Sequence, residues 1–356
     1  MKKLMVRAGL LWILLVTMLP GHAREMDGLY QAEMPVKSQD REERLTAYAG
    51  AIAQVVVKVT GDRRAPQQPR LAKAMASAQN WVQQYRYQEL PEPGALVLKE
   101  QGYTRLLVVQ FDETAVNQAL VAAAAPLWGR VRPDLLVLLA VDDGGSRYLL
   151  VANDVTELGS SLDANVQRRG LPLLLPRMED VNQRRIVFAD VWSDASQPIM
   201  DVSKDYNANA VLAGRISRSN GGWQGRWSLY QGDEVQHWQG NGIQQNDVVA
   251  TGIDGAADRL ARRYAQLLTT TAAADAVAVT VTEVTTLAAY ARAMQYLQSL
   301  DLVTNVQVAK VQGGEVLFSL NVRGDINGID RAIALGGTLR RTMTEDNQPL
   351  VYQLLP

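Results

Sequence analysis

The sequence predicts an α+β protein of several modules: a three-layer-like middle α/β module with antiparallel strands, and a C-terminal ferredoxin-like β-α-β-β-α-β module. Three observations carry this prediction. Helical and strand periodicities alternate along the 356 residues. Three glycine-punctuated β runs between residues 210 and 240 stand just before a long amphipathic stretch. The last part of the chain runs strand, helix, hairpin, helix, strand. The divisions that follow are a signal peptide over 1–23, an N-terminal α+β domain over 24–130, a middle α/β domain over 131–272 and a C-terminal domain over 273–356.

In the N-terminal domain, Tyr30 to Val36 reads as a short strand. Asp40 with Glu43 three residues on has the form of a capping box. Leu45, Tyr48, Ile52, Val55 and Val59 then recur at helical spacing, and Gly61 stands where a glycine ends a helix. A second helix is expected over Leu71 to Asn80, a strand over Trp81 to Leu90, and a turn at Pro91 to Gly94. Thr104 to Phe111 is a strand, followed by a helix capped by Asp112 that runs through Ala125. The order is close to a split β-α-β.

In the middle domain, the unbroken apolar run Leu135 to Val141 reads as a strand buried on both faces. Asp142 to Gly145 turns the chain back into Tyr148 to Val151. Thr156 opens a helix that Gly170 closes, and a further helix ends near Tyr206. The strands Ala210 to Ile216, Trp223 to Tyr230 and Val235 to Gly240 are separated by turns at Asn220-Gly221-Gly222 and Gly232-Asp233. Asn246 is placed as the cap of a long helix with Val249, Ile253, Ala256, Leu260, Tyr264 and Leu267 on one face. A small-residue linker follows over Thr269 to Ala274.

In the C-terminal domain, Val277 to Val281 is a strand and Thr286 caps a helix carrying Leu287, Tyr290, Met294 and Leu297. Val303 to Val311 and Glu315 to Val322 form a hairpin across Gly313-Gly314. Asp325 caps a second helix through Leu335, and Leu350 to Leu355 closes the module.

The first 23 residues have the order of a secretory signal: Lys2, Lys3 and Arg7, an apolar run from Ala8 to Leu19, then Gly21 and Ala23 at the −3 and −1 positions of a cleavage site. A 12-residue run spans about 18 Å as a helix against a hydrocarbon core of roughly 30 Å, which favours cleavage over anchoring. An uncleaved 8–19 helix that associates with the membrane is the alternative. With no cysteine, a lipid-modified N-terminus is excluded, and so are disulfides, thiolate metal sites and cysteine nucleophiles. Three of the 36 basic residues and none of the 37 acids fall within 1–23, so the remainder carries a net charge of −4. That balance argues against a nucleic-acid or anionic-lipid binder.

Once His22 leaves with the signal, His237 is the one histidine remaining. A zinc site normally needs several histidine or cysteine ligands, so no metal and no cofactor are expected. A Ser-His-Asp triad would have to use His237, and no G-x-S-x-G elbow supplies the serine. A surface or edge-strand histidine is the simpler reading.

The paired carboxylates Asp142-Asp143, Glu179-Asp180 and Asp190 with Asp194 could serve glycan hydrolysis if two of them faced one cleft. A turn explains the first pair and solvated loops explain the others. Gly240-Asn241-Gly242 before the long helix lacks the third glycine of a dinucleotide fingerprint, although a helix N-terminus there could hold an anion. Arg323-Gly324-Asp325 spells an adhesion tripeptide, but Asp325 has the simpler job of a helix cap.

The concentration of aromatics at Trp223, Trp227 and Trp238 is the candidate binding site. Trp223, Gly225, Trp227 and Leu229 share one strand face; Gln224, Arg226, Ser228 and Tyr230 share the other. Either the tryptophans form a platform for sugar rings or a partner peptide, or they pack under the following helix. Packing is favoured, and it leaves Arg226 and Tyr230 as the exposed candidates.

Leu127-Trp128-Gly129 with Arg132-Pro133-Asp134, Arg169-Gly170-Leu171-Pro172 with Leu175-Pro176, Leu212-Ala213-Gly214-Arg215, and Trp223 with Trp227 together carry a resemblance. The chain resembles the uncharacterised proteobacterial exported-protein family called domain of unknown function 2066, over most of its length after residue 23. The resemblance implies a proteobacterial periplasmic setting and brings no activity, cofactor or catalytic residue. The 210–268 portion is also broadly similar to periplasmic domains of envelope assembly lipoproteins, at the level of fold alone. The expected function is a non-catalytic periplasmic binding or adaptor protein whose partner is an envelope protein or glycan. The alternative is a carboxylate-dependent hydrolase acting on an envelope polymer, with Glu179 and Asp190 as its acids.

Overall fold

A computed structural model describes residues 26–90, 95–219, 221–267, 276–322, 326–342 and 350–355. The expected signal over 1–23, the Pro91–Gly94 turn, the 269–274 linker and the Arg323-Gly324-Asp325 tripeptide lie outside these residues. The fold is mixed α+β, with sheets of three, six and five strands and one two-stranded ribbon.

The first sheet belongs to β1 (Gln31–Val36), α1 (Arg41–Thr60), α2 (Pro69–Met75), β2 (Val82–Gln88), α3 (Ala95–Glu100), β3 (Arg105–Phe111) and α4 (Glu113–Ala123). Its order is β1-β3-β2 with both pairings antiparallel, so β3 separates two parallel strands, as a split β-α-β requires. The helical period of α1 buries Ile52, Val55, Val56 and Val59 in the same core as Val109 and Phe111. Gly61 ends α1 at φ +70°, its N–H donating to Val57.

The expected capping box does not form. The Asp40 carboxylate accepts from Ser38 and Glu43 accepts from the Lys37 N–H, so both acids are drawn to the segment before the helix. Asp112 does cap α4, accepting from the Ala115 N–H at 2.7 Å. The second helix stops at Met75 instead of Asn80, giving way to a 3-10 turn over Ala78–Trp81.

The chain then passes through β4 (Pro126–Leu127) into the middle sheet: β5 (Leu135–Asp142), β6 (Arg147–Leu149), α5 (Glu157–Arg169), β7 (Leu173–Leu174), α6 (Met178–Asn182), α7 (Phe188–Trp192), α8 (Ser196–Asp205), β8 (Ala210–Ser219), β9 (Gly222–Gln231), β10 (Glu234–Gly242) and α9 (Gln245–Tyr264). The order β10-β9-β8-β5-β6, with β7 also on β5, puts the parallel β5–β8 pair at the centre. Leu135, Val137, Leu139 and Val141 point into the core shared with α5 and α9, while Leu136, Leu138 and Ala140 point into the core shared with α7 and α8. Burial on both faces is why β5 has no polar alternation.

Thr156 and Gly170 bound α5 as expected. Asn246, in contrast, is not the cap of α9. That position is taken by Gln244, whose N–H is accepted by Asp247 at 2.9 Å; Asn246 lies in the first turn and accepts from Ser161 and Asn165 of α5. Gly240-Asn241-Gly242 is the end of β10, and a Cβ on Gly242 would meet the Asp247 side chain at 2.3 Å. The Asp247 carboxylate stands at this helix start and accepts the Gln244 N–H.

The helix expected through Leu267 ends at Tyr264: after α9, β11 (Gln266–Leu267) leaves it to pair antiparallel with β4. The last sheet follows: β12 (Ala276–Thr282), α10 (Leu287–Ser299), β13 (Val303–Gln312), β14 (Glu315–Val322), α11 (Ile326–Leu335), β15 (Leu339–Arg341) and β16 (Leu350–Leu354). Thr286 caps α10 as expected, accepting from Ala289 at 3.0 Å. The order is β13-β14-β12-β16-β15. The final strand runs parallel to β12, and the unexpected strand β15 forms the edge beside it. Among the described residues no helix is long and apolar enough to cross a membrane.

Two wholly buried arginines join the first and middle sheets. Arg132 gives all five of its N–H donors to carbonyls: Lys58, Trp128, Gly129, Arg169 and Gly170. Arg169, last residue of α5, donates to Asp254 at 2.9 Å, to Asp258 at 2.7 Å and to the Gly61 carbonyl at 2.8 Å. A guanidinium out of water is tolerable only when most of its donors are engaged; at Arg169 the Nε is left without a partner. At the third module the carboxylate of Asp301 accepts from the Arg130 N–H. Burial pushes its pKa up, against the opposing pull of that N–H.

Candidate functional site

The helices on the two sides of the middle sheet cover different strands. On one side α9 lies across β8, β9 and β10; on the other, α7 and α8 pack mainly against β5, β6 and β8 and share a core with β9 at Tyr230.

The α9 side is closed by tryptophan against glycine. Trp227 is 1% exposed, between Gly214 of β8 and Gly252 of α9; a Cβ on either glycine would come within 2.2 or 2.3 Å of its ring. Trp238 is half-buried, with Gly255 beneath its indole, the Arg259 guanidinium 4.1 Å from the ring centroid, and its Nε1 donating to the Thr251 carbonyl. Trp223 faces the same way with Arg218 over it at 5.7 Å. All three tryptophans pack against the core beneath α9, and Trp227 and Trp238 also border the cleft between β8, β9 and β10.

The opposite side holds a cleft of about 370 Å³, with Asp194, Arg215, Arg226, Ser228 and His237 among its lining residues. Strand register builds most of it. The two-residue turn Gly232-Asp233 pairs Ser228 with His237, and the β8–β9 register pairs Arg215 with Arg226. Alternation sends these side chains to the face away from α9.

Asp194 comes from the helical layer. It follows α7 at φ +58°, a left-handed conformation that Asp tolerates better than most residues, and this break aims its carboxylate at β9. One oxygen accepts from the Tyr230 hydroxyl at 2.7 Å and the other from Ser228 at 2.5 Å. Burial, followed by the hydrogen bond to Asp194 and its charge, raises the Tyr230 pKa above the ordinary phenol value.

Ser228, His237 and Asp194 thus meet, which the sequence reading did not expect, but not as a catalytic triad. In a triad the imidazole stands between hydroxyl and carboxylate. Here the hydroxyl stands between the other two: Ser228 gives its single proton to Asp194 and lies 2.8 Å from His237 Nδ1. His237 Nδ1 is also 3.6 Å from Asp194, and its side chain is 63% exposed at the mouth.

Arg215 donates to the Trp192 carbonyl, and Arg226 is exposed. Among the described residues neither has a carboxylate within ion-pair distance, although they stand directly opposite each other on neighbouring strands.

Of the five sequence candidates, Arg226 alone is both exposed and in the cleft. Tyr230, expected at the surface, is 3% exposed and committed to Asp194. Ser228, His237 and Arg215 were discoverable from the short turns, which fix register. Asp194 was not, because its position depends on how the helical layer docks.

The remaining acids serve local structure. Asp142 pairs with Arg147, and Asp143 accepts N–H groups of its own turn. Asp190 accepts from the Val187 N–H at the start of α7. Asp180 is buried between Arg177, Arg185 and the Tyr206 hydroxyl, while Glu179 is exposed. Among the described residues no cluster of three or more potential metal ligands occurs.

Residues 23–129 match the model of a family described as a domain of unknown function, DUF8605. This corrects the resemblance to domain of unknown function 2066: the matched family is a different one, and its match covers the first module only. No curated protein and no solved structure matches the chain.

Proposed function

We propose that the chain is a non-catalytic binding or adaptor protein of the bacterial periplasm, exported by a signal cleaved after Ala23, with the half-covered face of its middle sheet as the binding site. Its partner is an envelope protein or glycan. In this reading the middle sheet and its two helical layers form a three-layer α/β module. The last sheet is a ferredoxin-like module extended by the β15 edge.

The observation that carries the proposal is the wiring of the cleft. A 370 Å³ hollow holds polar groups fixed by one another, and its serine sits between Asp194 and His237, an order unlike that of a catalytic triad. Such a site is preorganised for recognition and lacks an activated nucleophile. The acids of the hydrolase alternative give it less support: Asp190 accepts from the Val187 N–H at the start of α7, and Glu179 is exposed.

Capture from envelope extracts with the wild type and with His237→Ala tests the proposal. A partner retained by the wild type and lost by the variant is expected. Turnover of an envelope polymer, abolished by Ser228→Ala, would contradict it. N-terminal sequencing of exported protein should begin at Arg24; an intact 1–23 segment would remove the periplasmic part of the reading.

A further inference from the structure

We infer that the cleft of the middle module binds a compact oxyanion, a carboxylate or phosphate group, through Arg226 and Arg215 with His237 at the rim. The inference rests on the binding reading above and names the chemistry of its ligand.

Charge placement is the first ground. Arg215 and Arg226 are direct partners in the β8–β9 ladder. Like charges in that position repel each other, and sheets ordinarily avoid them. No acid among the described residues relieves this pair. The nearby carboxylate, Asp194, already accepts hydrogen bonds on both oxygens, from Ser228 and Tyr230. Arg215 spends one nitrogen on the Trp192 carbonyl, a neutral acceptor, which orients the guanidinium without cancelling its charge. A local rule broken without internal compensation is most often found where a ligand supplies it.

The second ground is the position of Arg226: several exposed arginines, Arg86 and Arg184 among them, have no ion pair with a described residue, but Arg226 is the exposed one that lines the cleft, and it differs from the arginines the fold engages. Arg132, Arg169, Arg177 and Arg185 are all engaged by carboxylates or by several carbonyls. Arg226 has neither, and it faces a hollow large enough for a small ligand. The planar fork of guanidinium matches the paired oxygens of carboxylate and phosphate. His237, whose Nδ1 is tied to Ser228, is placed at the rim by that hydrogen bond.

Calorimetric titration of the purified protein with inorganic phosphate, acetate and neutral glucose tests this inference, using the wild type, Arg226→Gln and the exposed-charge control Arg86→Gln. Saturable binding of one of the anions is expected. It should weaken at least about tenfold in Arg226→Gln, as for loss of a charge-assisted pair, remain unchanged in Arg86→Gln, and fall with added salt. Preference for phosphate or for acetate identifies which oxyanion the ligand carries.

No saturation by either anion, equal binding by Arg226→Gln, or glucose binding as well as the anions overturns the inference. If partner capture still depends on His237 in that case, the adaptor reading stands and the anion is wrong. If a bound phosphate or carboxylate ester is instead hydrolysed in an Arg226-dependent way, the anion site stands and the non-catalytic reading falls.

Discussion

The two sides of the middle sheet handle charge and space in opposite ways. On the α9 side, Arg169 is met by Asp254, Asp258 and a carbonyl, and Trp227 fills the gap between two glycines. On the α7–α8 side, two arginines face each other without an acid, and a hollow remains where a helix could have lain. Both sides use the same strands, so residue type alone does not separate them. What separates Arg169 from Arg215 and Arg226 is whether carboxylates stand within ion-pair distance of the guanidinium. A satisfied arginine holds modules together, and an unsatisfied one in a hollow is available to a ligand.

The largest expected effect lies on the closed side. Arg169→Met strands Asp254 without its buried partner and leaves the Gly61 carbonyl unpaired, and should cost about 3–5 kcal/mol in urea unfolding. A cost below ~1 kcal/mol would mean that the buried node does not hold the modules together. Gly252→Ala ordinarily strengthens a helix, by about 1 kcal/mol. Here the new methyl meets the Trp227 ring, and a net loss of about 1–3 kcal/mol is expected from the same measurement. Stabilisation would show that the Trp227 packing is looser than described.

Smaller effects belong to the open side. Ser228→Ala removes the bridge between Asp194 and His237, costing about 1 kcal/mol, and should leave any ligand-binding loss smaller than that of Arg226→Gln. Arg226→Gln should change stability least, within about 0.5 kcal/mol, because the side chain is exposed and its removal relieves the repulsion with Arg215. A large destabilisation there would erase the difference between the sides.

The strongly periodic elements were legible before any coordinates. The helical spacing of α1, the apolar run of β5, and the turn glycines between β9 and β10 and between β13 and β14 placed those elements to within a few residues. Caps were less legible. Asp40 stands at the N-cap of α1 but makes no cap bond, while Glu43 accepts from Lys37; Asn246 lies two residues past the N-cap Gln244, whose N–H Asp247 accepts. The parallel closure of β16 on β12 leaves no local signature, as pairing direction is set by the connection and not by the strand. In the site, register readable from a two-residue turn already pairs Ser228 with His237. The tryptophans drew attention because they are rare and large, and those same properties make them packing groups. Asp194 was hidden, because a left-handed break between two short helices has no periodicity to read.

The central claim is that an unpaired cation on the open side of the middle sheet is where this protein meets its ligand. Backbone amide shifts during a phosphate titration followed by NMR locate that contact directly. Changes are predicted around 213–217, 226–228 and 237–239, with the Arg132–Arg169 node silent. Shifts confined to α9 and the node, or spread evenly over the basic residues of the surface, would contradict it.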